Sequence, residues 1–228
     1  MKRVCAMSLG LLSIVVALPQ LAIAAGGGPA GGSMPSVREL SPQEMARQDY
    51  NDGVRSVKRA DKYSADAAKQ TREDKKAKAA ERATKQYANA RAYFARAVTQ
   101  DPKMHEAWNY VGYTSRKLGD MSAALPAYEQ ALKLKPDYAE AIEYRGVAYL
   151  TLNRLDDAKT AYMTLFRDNR KLAGQLMDEM RQWVSARRND PAGVPATQID
   201  GFEQWMAERA NIAQQTASLA IDAPLAWR

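Results

Sequence analysis

HEAWNYVGYTSRKLGDMSAALPAYEQALKLKPDY, residues 105–138, is echoed at a spacing of 34 residues on both sides. Downstream, Gly112 recurs as Gly146, Ala124 as Ala158 and Tyr128 as Tyr162. Upstream, Ala90, Phe94, Ala97 and Pro102 anticipate Ala124, Tyr128, Ala131 and Pro136. A fixed period of this length marks a helical hairpin that cannot bury its apolar face alone and stacks on its neighbours. Gly112 is small where the first helix meets the second, so the two axes can approach, and Ala124 is its small counterpart. Trp108, Val111, Tyr128 and Leu132 fill the hairpin core. Gly119-Asp120 makes the turn, the glycine allowing the left-handed conformation that ends a helix. Pro136 stops the second helix.

These residues resemble the tetratricopeptide repeat family, and the resemblance covers the whole of 105–138. A second unit spans residues 139–170, with Ile142, Gly146, Tyr149, Ala158 and Tyr162 in place. It departs from the pattern at Arg145, at Asn153-Arg154 in the turn and at Arg170, which suggests the last unit of an array with the next helix docking differently. The resemblance implies an all-α, right-handed solenoid of helical hairpins with no cofactor, no metal and no catalysis. It also implies a concave groove lined by the first helix of each unit. Carried onto this chain, the groove positions are Glu106, Asn109, Tyr113, Arg116 and Lys117, then Glu140, Glu143, Val147, Leu150 and Thr151. Such a mixture of amide, ring, charge and aliphatic groups suits a peptide or protein segment. The heat-shock chaperone form of the groove, a Lys/Asn clamp for a terminal carboxylate, is not supported by Asn109 and Tyr113.

The segment 41–104 reads as an atypical first repeat. Ser41-Pro42-Gln43-Glu44 is a helix start in which Ser caps and Glu returns the bond. Gly53 occupies the place of Gly112, and Asp61 then falls where Asp120 does. From Gly53 to Gly112 is 59 residues, 25 more than one period. That is about seven helical turns, so the spacing predicts a lengthened second helix, continuous from about 63 to 99. A break near 71–74 into two helices is the alternative. Ala80, Ala83, Tyr87, Ala90, Phe94 and Ala97 mark a packed face, whereas residues 69–76 show none. Asp74–Lys78 and Glu81–Lys85 have the spacing of ion pairs. Residues 54–96 hold 13 Lys and Arg against 5 Asp and Glu. Lys69, Arg72, Lys75, Lys76, Lys78, Arg82 and Lys85 therefore form either a basic arm or a solvated face.

Residues 1–24 read as a secretory signal: Lys2 and Arg3, an apolar run, Pro19, and Ala22-Ile23-Ala24 before cleavage. The run is shorter than the roughly 20 residues of a membrane span. The one cysteine, Cys5, lies inside it, so the exported chain would have no thiol for disulfides, catalysis or metal. Export to a bacterial periplasm is the expectation. Residues 25–40, rich in Gly, read as a flexible linker. The net charge is +7, and +5 without Lys2 and Arg3, which does not indicate nucleic acid. Residues 171–228 read as capping helices and a tail. Leu172, Leu176, Met180, Trp183 and Val184 share one face. Thr197 is the expected cap of a last helix carrying Ile199, Phe202, Met206, Ala213, Thr216 and Leu219. The apolar tail 224–228 suggests packing on the body.

An enzyme is not indicated. His105 is the only histidine, which leaves a triad or a His-based metal site incomplete. No Gly-rich phosphate loop follows a strand, and Asp156-Asp157 sits where carboxylates cap helices. The favoured reading is an adaptor or scaffold of the cell envelope that holds another envelope protein in its groove, with no small-molecule substrate. The alternatives are a basic helix docking on anionic lipid or cell-wall polymer, and a structural protein whose long helix pairs with a copy of itself.

Overall fold

The computed structural model describes residues 38–222, with side chains as far as 216. The leader, most of the linker and the tail lie outside them. The described residues form eight α-helices arranged as four hairpins. They are α1 (Pro42–Lys69) with α2 (Glu73–Gln100), α3 (His105–Lys117) with α4 (Met121–Leu134), α5 (Ala139–Thr151) with α6 (Leu155–Asp168), and α7 (Arg170–Asn189) with α8 (Ala196–Asp222). Each hairpin packs on the next, so the architecture is the all-α solenoid that the period implies.

The first hairpin corrects one expectation. The extra residues do not make one long helix. The chain reverses at residues 70–72, and α1 and α2 pair along their length. Gly53 is followed by sixteen helical residues and Gly112 by five; Phe94 is preceded by twenty-one and Tyr128 by seven. The insertion is therefore about three turns in α1 and four in α2. Whole turns on both sides keep each buried face in register. The reversal falls where no residue from 68 to 78 is buried even in part, so extending a helix there would bury nothing. Asp61 sits inside α1 and not at a turn. In place of the expected ion pairs, Arg72–Asp74 at 2.8 Å and Lys76–Glu73 at 3.5 Å form at the start of α2. The capping box at the start of α1 forms in both directions: Glu44 N–H donates to Ser41 Oγ at 3.2 Å and Ser41 N–H to Glu44 Oε2 at 2.8 Å.

The hairpins are held by rings set against missing side chains. A Cβ on Gly53 would lie 2.6 Å from Phe94 Cε1, and one on Gly112 would lie 2.6 Å from Tyr128 Cε1. Both contacts are closer than real Cβ atoms come, so only glycine admits the ring. Phe94 and Tyr128 are fully buried. Aromatic contacts then run from unit to unit: Phe94 stacks on Tyr110 at 4.8 Å, Tyr113 meets Tyr144 at 5.0 Å, and Tyr128 meets Tyr144 at 6.5 Å.

The second unit departs where its sequence does. Gly146 faces Leu176 of α7, 2.8 Å from an ideal Cβ, and not Tyr162. Tyr162 turns to Phe166 and Trp205 instead. Asn153 takes the left-handed turn position, with φ of 57°, that Gly119 holds at 81° in the unit before. Its Oδ1 accepts from Trp183 Nε1 at 3.2 Å and Arg187 Nε at 3.3 Å, so the residue that replaces glycine also ties down α7. Asp156 and Asp157 pair with Lys159 and Arg154. The last core layer joins Leu150, Leu165, Leu176, Met180 and Trp183 to Ile199, Phe202 and Met206. α8 opens at Ala196, which puts Thr197 inside the first turn and not at the cap. Thr216 is exposed, off the face on which it was expected.

Gly53→Ala is expected to destabilise the protein by about 1–3 kcal/mol through the Phe94 contact. Gly174→Ala, whose Cβ would meet nothing within 4 Å, should stabilise it by about 0.5–1 kcal/mol. Urea unfolding midpoints check both; a Gly53→Ala midpoint at or above wild type would contradict the ring-on-glycine account.

Candidate functional site: the face of alternate helices

The first helices of successive hairpins, α1, α3, α5 and α7, place a set of charged groups within electrostatic reach of one another. Lys117 of α3 feels Asp61 of α1 and Glu179 of α7, and Glu143 of α5 feels Arg116 of α3 and Glu179. This is the face on which the groove positions were expected.

The structure sorts those ten positions. Asn109, Tyr113, Glu143, Val147 and Leu150 are buried. Glu106 and Arg116 are half-buried, and Lys117, Glu140 and Thr151 are exposed. The face is therefore narrower than the repeat pattern suggests, because its neighbours fill part of it. Val147 and Leu150 enter the core with Leu176 and Met177 of α7. Tyr113 is covered from the other side, where its hydroxyl donates to Asp61 Oδ1 at 2.8 Å. Tyr87 donates to the same oxygen at 2.6 Å, and Ser64 lies 3.3 Å from the Tyr87 hydroxyl. Asp61 thus ties both helices of the first hairpin to α3.

The electrostatics follow from this partial closure. Burial, then Asp61, pushes the Tyr87 phenol up to about 12. The Tyr113 phenol is raised further, first by burial and then by Asp61. Neither ionises at ordinary pH, so both act as hydrogen-bond donors and ring surfaces. Lys117 Nζ lies 5.5 Å from the Tyr113 ring and 6.0 Å from that of Tyr87. Although the residue as a whole is exposed, desolvation of its ammonium, and then Arg116, hold it below the usual lysine range. Arg116 stacks 5.5 Å over Tyr113. Burial raises the Glu143 carboxyl to about 7 against the pull of Arg116, and Glu179 and Glu140 add to the rise. Asn109 Oδ1 and Arg116 Nε are buried without hydrogen-bond partners. Unpaired polar atoms beside a cationic pair make this face suited to ligands that bring acceptors and donors.

The repeat-structural set behaves as nesting residues. Ala124, Tyr128, Ala158, Tyr162, Gly112 and Gly146 are buried, Trp108 is half-buried with its indole N–H donating to Pro102 O at 2.9 Å, and Pro136 lies just past α4. Lys69, Arg72, Lys75, Lys76, Lys78, Arg82 and Lys85 are all exposed on the outer end of the first hairpin. Sequence reasoning missed Asp61 as an anchor and Glu179 as a member of the charged face. Asp61 had a signal: it lies four residues after Val57 and three before Ser64, beside the buried stripe of α1. Glu179 had none, since nothing in the repeat period reaches α7.

Stacked helical hairpins with a shared inner face define a class of repeat scaffold. The family model described as Tetratricopeptide repeat matches residues 75–125 and 112–171. The matched stretch, residues 75–171, runs from α2 to the start of α7 and carries tetratricopeptide repeats. It is 25% identical over 115 residues, half of its length, to the "PEX5-related protein" of Mus musculus, and equally to those of Rattus norvegicus and Homo sapiens. The matched part is 20%, 19% and 18% of those proteins, so the chain spans about a fifth of the curated relatives it matches. The repeats make the chain a protein-interaction scaffold in general terms.

Glu143 gives a pH test. Its folded value of about 7 lies above the 4.5 of an unperturbed glutamate. The folded state therefore binds more protons between those limits, and stability falls as pH rises through that window and levels off above it. Glu143→Gln should remove this dependence and stabilise the fold at pH 8, relative to pH 4, by on the order of 3 kcal/mol. Unfolding curves at the two pH values check it; identical pH dependence in the variant and wild type would refute it.

Proposed function

We propose that the chain is a non-enzymatic adaptor of the bacterial cell envelope that holds a segment of another envelope protein on the face shared by α3 and α5. The observation that carries this reading is the accessible strip of Glu106, Arg116, Lys117, Glu140 and Thr151, with both charge signs presented beside partly buried rings. A partner carboxylate reaching Lys117 and Arg116 meets two cations in a partly desolvated setting, where charge-assisted bonds are stronger than in open water. The export half of the proposal rests on the leader pattern of residues 1–24.

A second reading is docking of the first hairpin on an anionic surface. It is favoured by one arrangement. Lys75, Lys78 and Arg82 line a recess of about 360 Å³ with Tyr63 and Asp66, and no ion pair forms on these three cations among the described residues. The self-pairing reading loses its basis, since the long helix it required is folded back against itself.

Capture from a bacterial envelope extract distinguishes the two. Arg116→Glu with Lys117→Glu should lower partner recovery about tenfold, while Lys75→Glu with Lys78→Glu leaves it unchanged. Loss through the second pair alone, together with a steep fall in binding with salt, would transfer function to the first hairpin.

A further inference from the structure

The described residues contain a second feature, at the opposite end of the stack from the basic hairpin. α8 is tied to the body through Ile199, Phe202 and Met206, all buried. From 207 to 216 no side chain of α8 is fully buried. The wedge between the three helices is a cleft of about 720 Å³, within the size range of small-molecule sites. Its apolar wall comes from Tyr162 and Phe166 of α6, Ala173 and Met177 of α7, and Ala213 of α8. Gly174 adds depth, for a Cβ there would meet nothing within 4 Å.

The cleft is not simply greasy. Arg170 stands at its wall, stacked 3.4 Å from the centre of the Phe166 ring, and has no ion pair among the described residues. Arg181 and Asp178 are also in the wall, paired with each other at 2.6 Å. Arg209, close by on α8, has Glu208 only at 3.9 Å, and its Nε is buried with no partner. The Tyr162 phenol feels all three guanidinium groups: burial raises it, and Arg170, Arg209 and Arg181 pull the other way. Its hydroxyl makes no hydrogen bond among the described residues. An uncompensated cation, an idle phenol donor and an apolar wedge of this size have one kind of complement, an anion with an apolar body.

We propose that the cleft between α6, α7 and α8 binds a small amphiphilic carboxylate of the medium-chain fatty-acid kind. The carboxylate meets Arg170 and the Tyr162 hydroxyl, and the alkyl chain lies between Phe166, Met177 and Ala213. Arg170 is also the residue that replaces the proline of the repeat pattern, so the departure that ends the array supplies the cation. The site is separate from the face of alternate helices and does not depend on a protein partner there.

The test is calorimetric titration of the full chain with decanoate, decanol and decyltrimethylammonium, each below its micellar concentration. Decanoate should bind; the neutral and cationic chains of the same length should bind at least about tenfold more weakly. Arg170→Gln should weaken decanoate about tenfold and leave decanol unchanged. Gly174→Trp fills the wedge from a position with room for it and should abolish binding, with an unchanged helical spectrum and melting curve confirming the fold. Equal binding of the three probes, no binding of decanoate, or full decanoate binding by a folded Gly174→Trp would each overturn the proposal.

Discussion

Two aromatic rings set against two absent side chains determine the spacing of this molecule. Phe94 lies over Gly53 and Tyr128 over Gly112, each ring occupying the space a Cβ would need. The close approach fixes how far apart the helices of a hairpin stand, and that distance fixes where the next hairpin can rest. Tyr110 and Tyr144 then extend the contact across units, so the stack is propagated by rings as much as by aliphatic packing. Aromatic pairs at these separations contribute about 0.5–1.5 kcal/mol each beyond their area. The array ends where the arrangement lapses: Gly146 faces Leu176, and Tyr162 is free to join Phe166 and Trp205 in the last layer.

Much of this was legible in the residues. The period placed α3 to α6 and their turns, because a repeat writes the same steric demand twice and the two copies check each other. The equivalence of Gly53 with Gly112 was legible as well, and the count of whole turns was right. The favoured reading put those turns in one long helix, and the break near 71–74 that stood as its alternative is where the chain reverses. Helical propensity is nearly uniform from 63 to 99, and a reversal between two helix-forming stretches has no Gly or Pro to announce it. What decides it is tertiary: nothing is available to bury against residues 69–76, so the chain turns back at 70–72.

The inner face was less legible. The family pattern names the positions, but it cannot say which are covered by neighbours outside the repeat. Val147 and Leu150 went into the core because α7 packs on α5, and Tyr113 was claimed by Asp61 from a helix whose length had been misjudged. The strip that remains, centred on Arg116, Lys117 and Glu140, is the part of the predicted groove that a partner can reach. Its electrostatics come from the same partial closure: the burial that raises Glu143 also lowers Lys117. The stack thus leaves a narrow polar strip on one face, a basic hairpin at one end and an apolar wedge at the other.

Site-specific photo-crosslinking to the captured partner tests the central claim most directly. A photoreactive residue is placed in turn at Glu140 and Thr151 on the strip, at Lys78 on the first hairpin and at Met163 on the exposed surface of α6. The account predicts adducts from 140 and 151 and none from 78 or 163. Adducts confined to 78 or 163 would contradict it and place the partner elsewhere on the stack.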